Sequence, residues 1–255
     1  ATRQNLNGIH TTEYKGNSVL IATDGHRLAV VPYQPIDNPD TAVLANKVRV
    51  INDGTFPKWQ AVMPNHNNRY DVPRKEATEA CKKAIQLTKK HNADERKVYR
   101  AKMKEIADKI APLTERIKYL KAEAKEAMVN IQPSLVLEIG KLIDEKVNDR
   151  KILKADKSNT TCDLIALPLV EIDFNGDRRR IKIMKVKQAE AEISFDVTAP
   201  RLSGEGSVVV LNANYLKDAM SVLEGDKAEI QLGTNLDPVL VTDGDTEVII
   251  MPTRY

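Results

Sequence analysis

Apolar and polar positions change period twice along this chain of 255 residues. Near the start they alternate in short runs, LNGIHTTEY, VLIATD and HRLAVV, separated by Lys-Gly-Asn and Asp-Gly. Such alternation is the mark of strands. Val19, Leu20, Ile21 and Ala22 give both faces of one strand apolar side chains, and Leu28, Val30 and Val31 do the same for the next. Asp24-Gly25 between them predicts a tight hairpin, because a primed turn needs a positive φ that glycine adopts without a Cβ clash. Pro32, Pro35 and Pro39 then break the chain before a further strand candidate, VLANKVRVI. NDGTFPKWQAVMP follows, with Phe56, Trp59 and Val62 as its apolar anchors.

From Pro73 the pattern becomes helical, with proline suited to a first helical turn. From Tyr99 apolar residues recur at three-four spacing through Met103, Ile106, Ile110, Leu113, Ile117 and Leu120 to Ala124, Ala127 and Ile131. Lys, Glu, Asp and Arg fill the positions between. A seam this narrow predicts coiled-coil packing, with a kink or division at Pro112. Pro133 predicts a second helix whose Leu135, Ile139, Leu142 and Ile143 pack back on the seam. Beyond residue 160 the period returns to strands: LIALPLVEIDF and RIKIMKV around Asn-Gly-Asp, then AEISFDV, SVVVLN, AEIQL, PVLVTD and EVIIMP. NANYLKDAMSVLEG among them predicts a short amphipathic helix capped by Asn212 or Asn214, with Tyr215, Leu216, Ala219, Met220 and Leu223 on its face and Gly225 ending it.

Composition narrows the reading. Aromatic residues are only 4% of the chain, so the core must rest on Ile, Leu, Val and Met. A formal charge of +3 implies no nucleic-acid partner by itself; only clustered charge would. The two cysteines, Cys81 and Cys162, have no metal-ligand spacing, which fits a reducing, cytoplasmic compartment. No 18-residue apolar run predicts a transmembrane helix, and ATRQNLNGIH is not a signal peptide. The chain opens at Ala1 without methionine, so residues can precede it. Four scattered histidines, no glycine-rich phosphate loop and no nucleophile elbow leave nothing that assembles an acid, base or nucleophile. We therefore expect no enzymatic activity, no metal and no cofactor.

Four stretches, in this order, resemble the bacterial DNA polymerase III β subunit, the sliding clamp: LNGIHTTE with LIATDGHRLAV, DGTFPKWQAVMP, NANYLKDAMSVLEGD, and EVIIMPTRY. The resemblance implies an α+β chain with the DNA-clamp fold of β-α-β-β-β repeats. Residues 1–52 would form a partial clamp domain of the middle type. Residues 53–255 would form the last domain, interrupted at about 90–158 by a helical hairpin or coiled-coil arm. The family's first domain leaves no trace here. Neither does the helix expected before LNGIH.

What the resemblance implies about function is a processivity factor that holds duplex DNA without sequence preference and tethers a polymerase, a clamp loader and other proteins through a short peptide. Carried over where the strings match, the peptide pocket would take Leu6, Thr23, Gly25, His26, Arg27 and Leu28. The crossing segment would add Pro57 and Val62. The C-terminal strands and tail would add Pro238, Ile249, Met251, Pro252, Thr253 and Arg254. The apolar members suit Leu or Phe anchors of a partner, and a flexible, polarizable methionine suits several partners. DNA phosphates would meet Arg3, Arg74, Lys75, Lys82, Lys83 and Lys217, in contacts sensitive to salt and blind to sequence. A homo-oligomer is implied, and no membrane. The alternative is a scaffold protein that keeps the partner pocket without a ring and assembles through its helical arm.

Overall fold

The computed structural model describes residues 9–33, 56–130, 132–175, 179–184 and 194–254. The strand predicted over VLANKVRVI lies outside them, as do Arg3, Leu6 and Ile131. The chain divides into two compact units, Ala1–Thr88 with Ala166–Tyr255, and Lys89–Ile165.

The first unit holds two antiparallel sheets. Strands β1 (His10–Tyr14), β2 (Asn17–Thr23) and β3 (Arg27–Pro32) come from the start of the chain, and β4 (Asn68–Pro73) follows the crossing segment. After the helical interruption come β5 (Leu169–Asp173), β6 (Arg180–Ile183), β7 (Ser194–Asp196), β8 (Arg201–Ser203) and β9 (Val208–Asn212). The last three are β10 (Lys227–Leu232), β11 (Val239–Thr242) and β12 (Glu247–Ile250). One sheet has the order β1-β2-β3-β12-β11-β10-β4-β8 and the other β7-β6-β5-β9. The C-terminal strand is therefore enclosed, pairing β3 on one side and β11 on the other.

The turns follow the expected chemistry. Lys15 and Gly16 both have positive φ (51° and 80°), as a primed two-residue hairpin requires. At the second hairpin Gly25 alone does (88°), which is the pattern with glycine first of the two central residues. β5 and β6 pair as predicted around Asn-Gly-Asp, of which Gly176 and Asp177 lie outside the described set.

Two strands were not predicted. β4 has only Tyr70 and Val72 as inward apolar residues and ends on Pro73, so its alternation is short and proline points away from a strand. Pro73 thus closes a strand, and helix α1 (Arg74–Val129) starts one residue later. β8 exposes all three of its residues and has no apolar period to read.

The main core lies where both sheets meet the first turns of α1 and the short helix α3 (Ala213–Val222). Ala77, Ala80, Cys81, Ala84 and Leu87 form the buried face of α1, and Leu216, Ala219 and Met220 that of α3. Small residues on α1 let it pack close to its neighbours. Asn212 is the cap of α3, its side-chain oxygen accepting the Asn214 N–H at 2.9 Å. Burial pushes the Cys81 thiol up to about 12, so it is an inert apolar filler.

The second unit is the predicted helical hairpin. α1 continues through it and α2 (Pro133–Asn159) returns. Leu120, Ala127 and Ile139 are buried between them, with Ala124, Val136 and Ile143 at the edges. Two details differ from expectation. Pro112 does not divide α1; it stands on the solvent side, where water can satisfy the carbonyl left without its N–H donor. Leu135 and Leu142 stay exposed, because Val136 and Ile143, one position on, face the seam instead. At the base of the hairpin the Asn92 amide both donates to the Ile165 carbonyl and accepts its N–H, each at 2.9 Å. The His91 ring lies 3.1 Å from the Asp163 carbonyl. Among the described residues no helix is long and apolar enough to cross a membrane.

Candidate functional site

The tip of the second hairpin braces itself. The Thr23 hydroxyl donates to the Arg27 carbonyl at 2.6 Å and accepts the Gly25 N–H at 3.1 Å. Asp24 Oδ1 accepts the N–H groups of His26 and Arg27 at 2.9 and 3.0 Å. Two short polar side chains just before a glycine thus replace the strand ladder where it ends.

The last strand and the tail run beside this tip. Ile249 pairs with Leu28 and Ile250 with Arg27. One step further the Met251 N–H donates to the His26 carbonyl at 2.9 Å. The Thr253 N–H then donates to the Val210 carbonyl at 2.8 Å, so the tail is held at two points. Pro238 precedes Val239, the partner of Ile250, and so stands at the same end of that ladder as Met251. Its carbonyl lies 3.0 Å from the His66 ring.

The crossing segment packs on the outer face of this junction. Trp59 is buried with Val19, Ile21, Leu28, Val30, Leu240 and Ile249 in a second apolar cluster, edged by Tyr14, Phe56 and Met63. Tyr14 meets Trp59 edge-on, with ring centroids 4.9 Å apart. Hairpin, crossing segment and C-terminal strands therefore share one floor. Within it Leu28 and Ile249 are almost inaccessible, at 6% and 1% exposure. Among the described residues of the predicted pocket Val62 and Met251 are open to solvent, at 40% and 39%. Pro57, His26 and Arg254 are exposed and Pro252 and Thr253 half-buried.

Not every residue of the predicted pocket faces this way. Strand alternation sends Leu28 to the Trp59 side and Arg27 to the side of α3. There Arg27 Nη1 reaches Asp218 at 2.7 Å, Nε reaches Asp24 at 3.0 Å, and the guanidinium lies 4.8 Å from the Tyr215 ring centroid. His26 stacks on the same ring at 6.0 Å. Burial works against ionisation of Asp24 and Asp218. Their hydrogen bonds outweigh it and hold both carboxyls below the usual range. For Asp24 these are the backbone N–H groups of His26 and Arg27, then the guanidinium. For Asp218 they are Arg27 and Lys217.

A cleft of about 390 Å³ opens beside this cluster, walled by Ala22, Ala29, Ala219, Val222 and Val248. Tyr215, Asp218 and Val222 were missed by the sequence reading. They sit on a helix roughly two hundred residues from the hairpin, and only the tertiary fold joins them.

The proposed phosphate contacts divide too. Lys75, Lys82 and Lys83 are exposed on α1, opposite its alanine face. Lys217 is half-buried, 3.3 Å from Asp218 Oδ1. Arg74 is committed to its own fold: Nε donates at 2.8 Å to the Met220 carbonyl, an orphan acceptor in the last turn of α3, and Nη1 donates to the Gly225 carbonyl in the loop beyond. No group of three His, Cys, Asp or Glu side chains able to hold a metal ion occurs among the described residues.

No family model matches the chain, and no curated protein matches it in sequence. Its fold does have counterparts among solved structures. The sliding clamp (DNA polymerase III subunit beta) of Bartonella birtlesii, bound there to griselimycin, superposes with a TM-score of 0.55 at 16% identity. The DNA polymerase III beta subunit of Thermotoga maritima gives 0.56 at 16%, and the Pseudomonas aeruginosa sliding clamp 0.57 at 14%. Each match covers 100% of this chain but only 59 to 60% of the other. The chain therefore has the sliding-clamp fold with an added helical hairpin and spans about three fifths of the clamps it matches.

Proposed function

We propose that this chain is a clamp-like replication factor that docks partner proteins by a short peptide and holds duplex DNA without reading its sequence. Residues 1–52 would act as a partial clamp domain and residues 53–255 as a last-type domain carrying the arm, with more than one copy completing the assembly. The observation behind this reading is the meeting of two distant segments, the His26 carbonyl receiving the Met251 N–H above a floor of Leu28, Ile249 and Trp59. Val62 and Met251 are exposed apolar residues and His26 and Arg254 exposed polar ones, and a peptide site needs both, an apolar surface with a few polar groups at its rim. Exposed Lys75, Lys82 and Lys83 would meet phosphates.

The test is a fluorescent peptide with adjacent Leu and Phe anchors, titrated against the protein and its H26A/M251A variant. The expected loss is about tenfold or more, the size of one interface hot spot. Unchanged affinity sinks the assignment. The exposure of Met128, Val129, Leu135 and Leu137 around the turn of the arm favours a second reading, a scaffold that assembles through the arm without a ring. Mass in solution separates the two. A ring-forming protein keeps its oligomer when residues 92–156 are deleted, and an arm-assembled scaffold falls to a monomer.

A further inference from the structure

The half of the helical hairpin near its base is strongly basic. Between Lys89 and Lys104 seven Lys and Arg residues stand against two acidic ones, in a chain whose formal charge is only +3. We propose that this part of the arm is a second contact for a nucleic-acid backbone, made by Lys89, Arg96, Arg100 and Lys104. It rests on the clamp-like reading only in taking duplex DNA as the polymer.

Steps of seven, four and four residues put these four on one face of α1. At 1.5 Å per residue they span about 22 Å, the axial length over which a duplex carries about thirteen phosphates. All four are exposed. None makes an ion pair among the described residues, whereas further along the helix Lys109 is paired with Glu105 and Lys118 with Glu115. Asp94 and Glu95 do not neutralise the stripe, since successive residues point about 100° apart on a helix.

The returning helix adds to this charge. Arg150, Lys151, Lys154 and Lys157 lie in its last turns, and the bonds from His91 and Asn92 to Asp163 and Ile165 bring the chain just beyond α2 back to the start of the arm.

Two features favour a duplex backbone over a protein partner or a single strand. Alanines, Ala93 and Ala107, lie on the same face among the cations, with Asp108 one turn beyond Lys104 at the end of the stripe. An interface with a protein would place apolar or aromatic anchors at its centre. A single-strand site would offer aromatic rings for stacking, and Tyr99 is turned toward the seam, half-buried.

The experiment uses the full chain and a labelled 30-base-pair duplex of arbitrary sequence, read by anisotropy from 50 to 300 mM NaCl. The quadruple variant K89Q/R96Q/R100Q/K104Q should bind roughly a hundredfold more weakly at 0.1 M salt. The slope of log affinity against log salt should fall by about three to four, near one unit per lost phosphate contact. Unchanged affinity and slope overturn the proposal, as does a wild-type protein with no affinity at 50 mM. Tighter binding to a 30-nucleotide single strand or to polyglutamate overturns it in favour of that class. A parallel K75Q/K82Q/K83Q variant keeps the two readings apart. If it binds normally while the arm variant fails, the arm contact stands and the phosphate role proposed for the first turns of α1 falls.

Discussion

Ile249→Ala probes both the fold and the partner site. The side chain is 1% exposed and lies in the cluster of Trp59, Leu28 and Leu240. The change removes three carbons, worth about 2.4 kcal/mol at roughly 0.8 kcal/mol each. A cavity term is added, because strands held on both sides cannot close the gap, so the expected loss is about 3 kcal/mol. Ile249→Val removes one carbon and should cost about 1 kcal/mol. Urea unfolding is the assay, followed by the emission of Trp59, the single tryptophan and a member of the same cluster. With a slope near 2 kcal/mol per molar, the alanine variant should shift its midpoint by roughly 1.5 M and the valine variant by about 0.5 M. If both cost the same and less than about 1 kcal/mol, Ile249 is not an enclosed floor residue. The shared base of hairpin, crossing segment and tail would then be wrong.

Other expectations concern the rest of the chain. Pro112→Ala should raise the melting temperature of the arm's helical signal, since proline inside a helix costs about 3 kcal/mol; no rise would show that α1 is already broken there. Ellman's reagent should titrate Cys162 in the native protein and both thiols in urea, because Cys81 is buried with its pKa pushed to about 12; rapid native reaction of two thiols refutes that burial. Asp24 and Asp218 have carboxyls held below the ordinary aspartate value, so they stabilise the fold above that value and lose this effect as pH falls through their lower native values. The hairpin tip should therefore loosen in acid, read by amide exchange at Gly25 to Arg27. R27A should weaken that dependence without removing it, since the backbone N–H groups on Asp24 and Lys217 beside Asp218 remain, with little change in overall stability because the pairs are partly exposed.

Much of this architecture was legible because its signals are local. Asp-Gly between apolar runs gave the hairpin, the cap at Asn212 and the spaced Leu216, Ala219 and Met220 gave α3, and three-four spacing gave the arm. The convergence of the second hairpin and the tail was reached through the resemblance of ATDGHRLA and EVIIMPTRY to clamp sequences, since pattern alone carries no long-range pairing. Orientation was not legible. Arg27 and Leu28 were placed in one pocket, but adjacent residues of a strand face opposite sides. Arg74 read as a free cation, yet it is bound to carbonyls at the end of a helix distant in sequence. Nothing in NRYDVP announces a strand until β10 lies alongside it.

The enclosed position of β12 also fixes an order of events during synthesis. The arm depends on contacts between neighbouring helices and can form as soon as it leaves the ribosome. The edge of β3 must wait for the last ten residues, which at 5–20 residues per second arrive roughly ten to forty seconds after it. Throughout that interval an unpaired strand edge is open to any complementary segment, including the same strand of a neighbouring nascent chain.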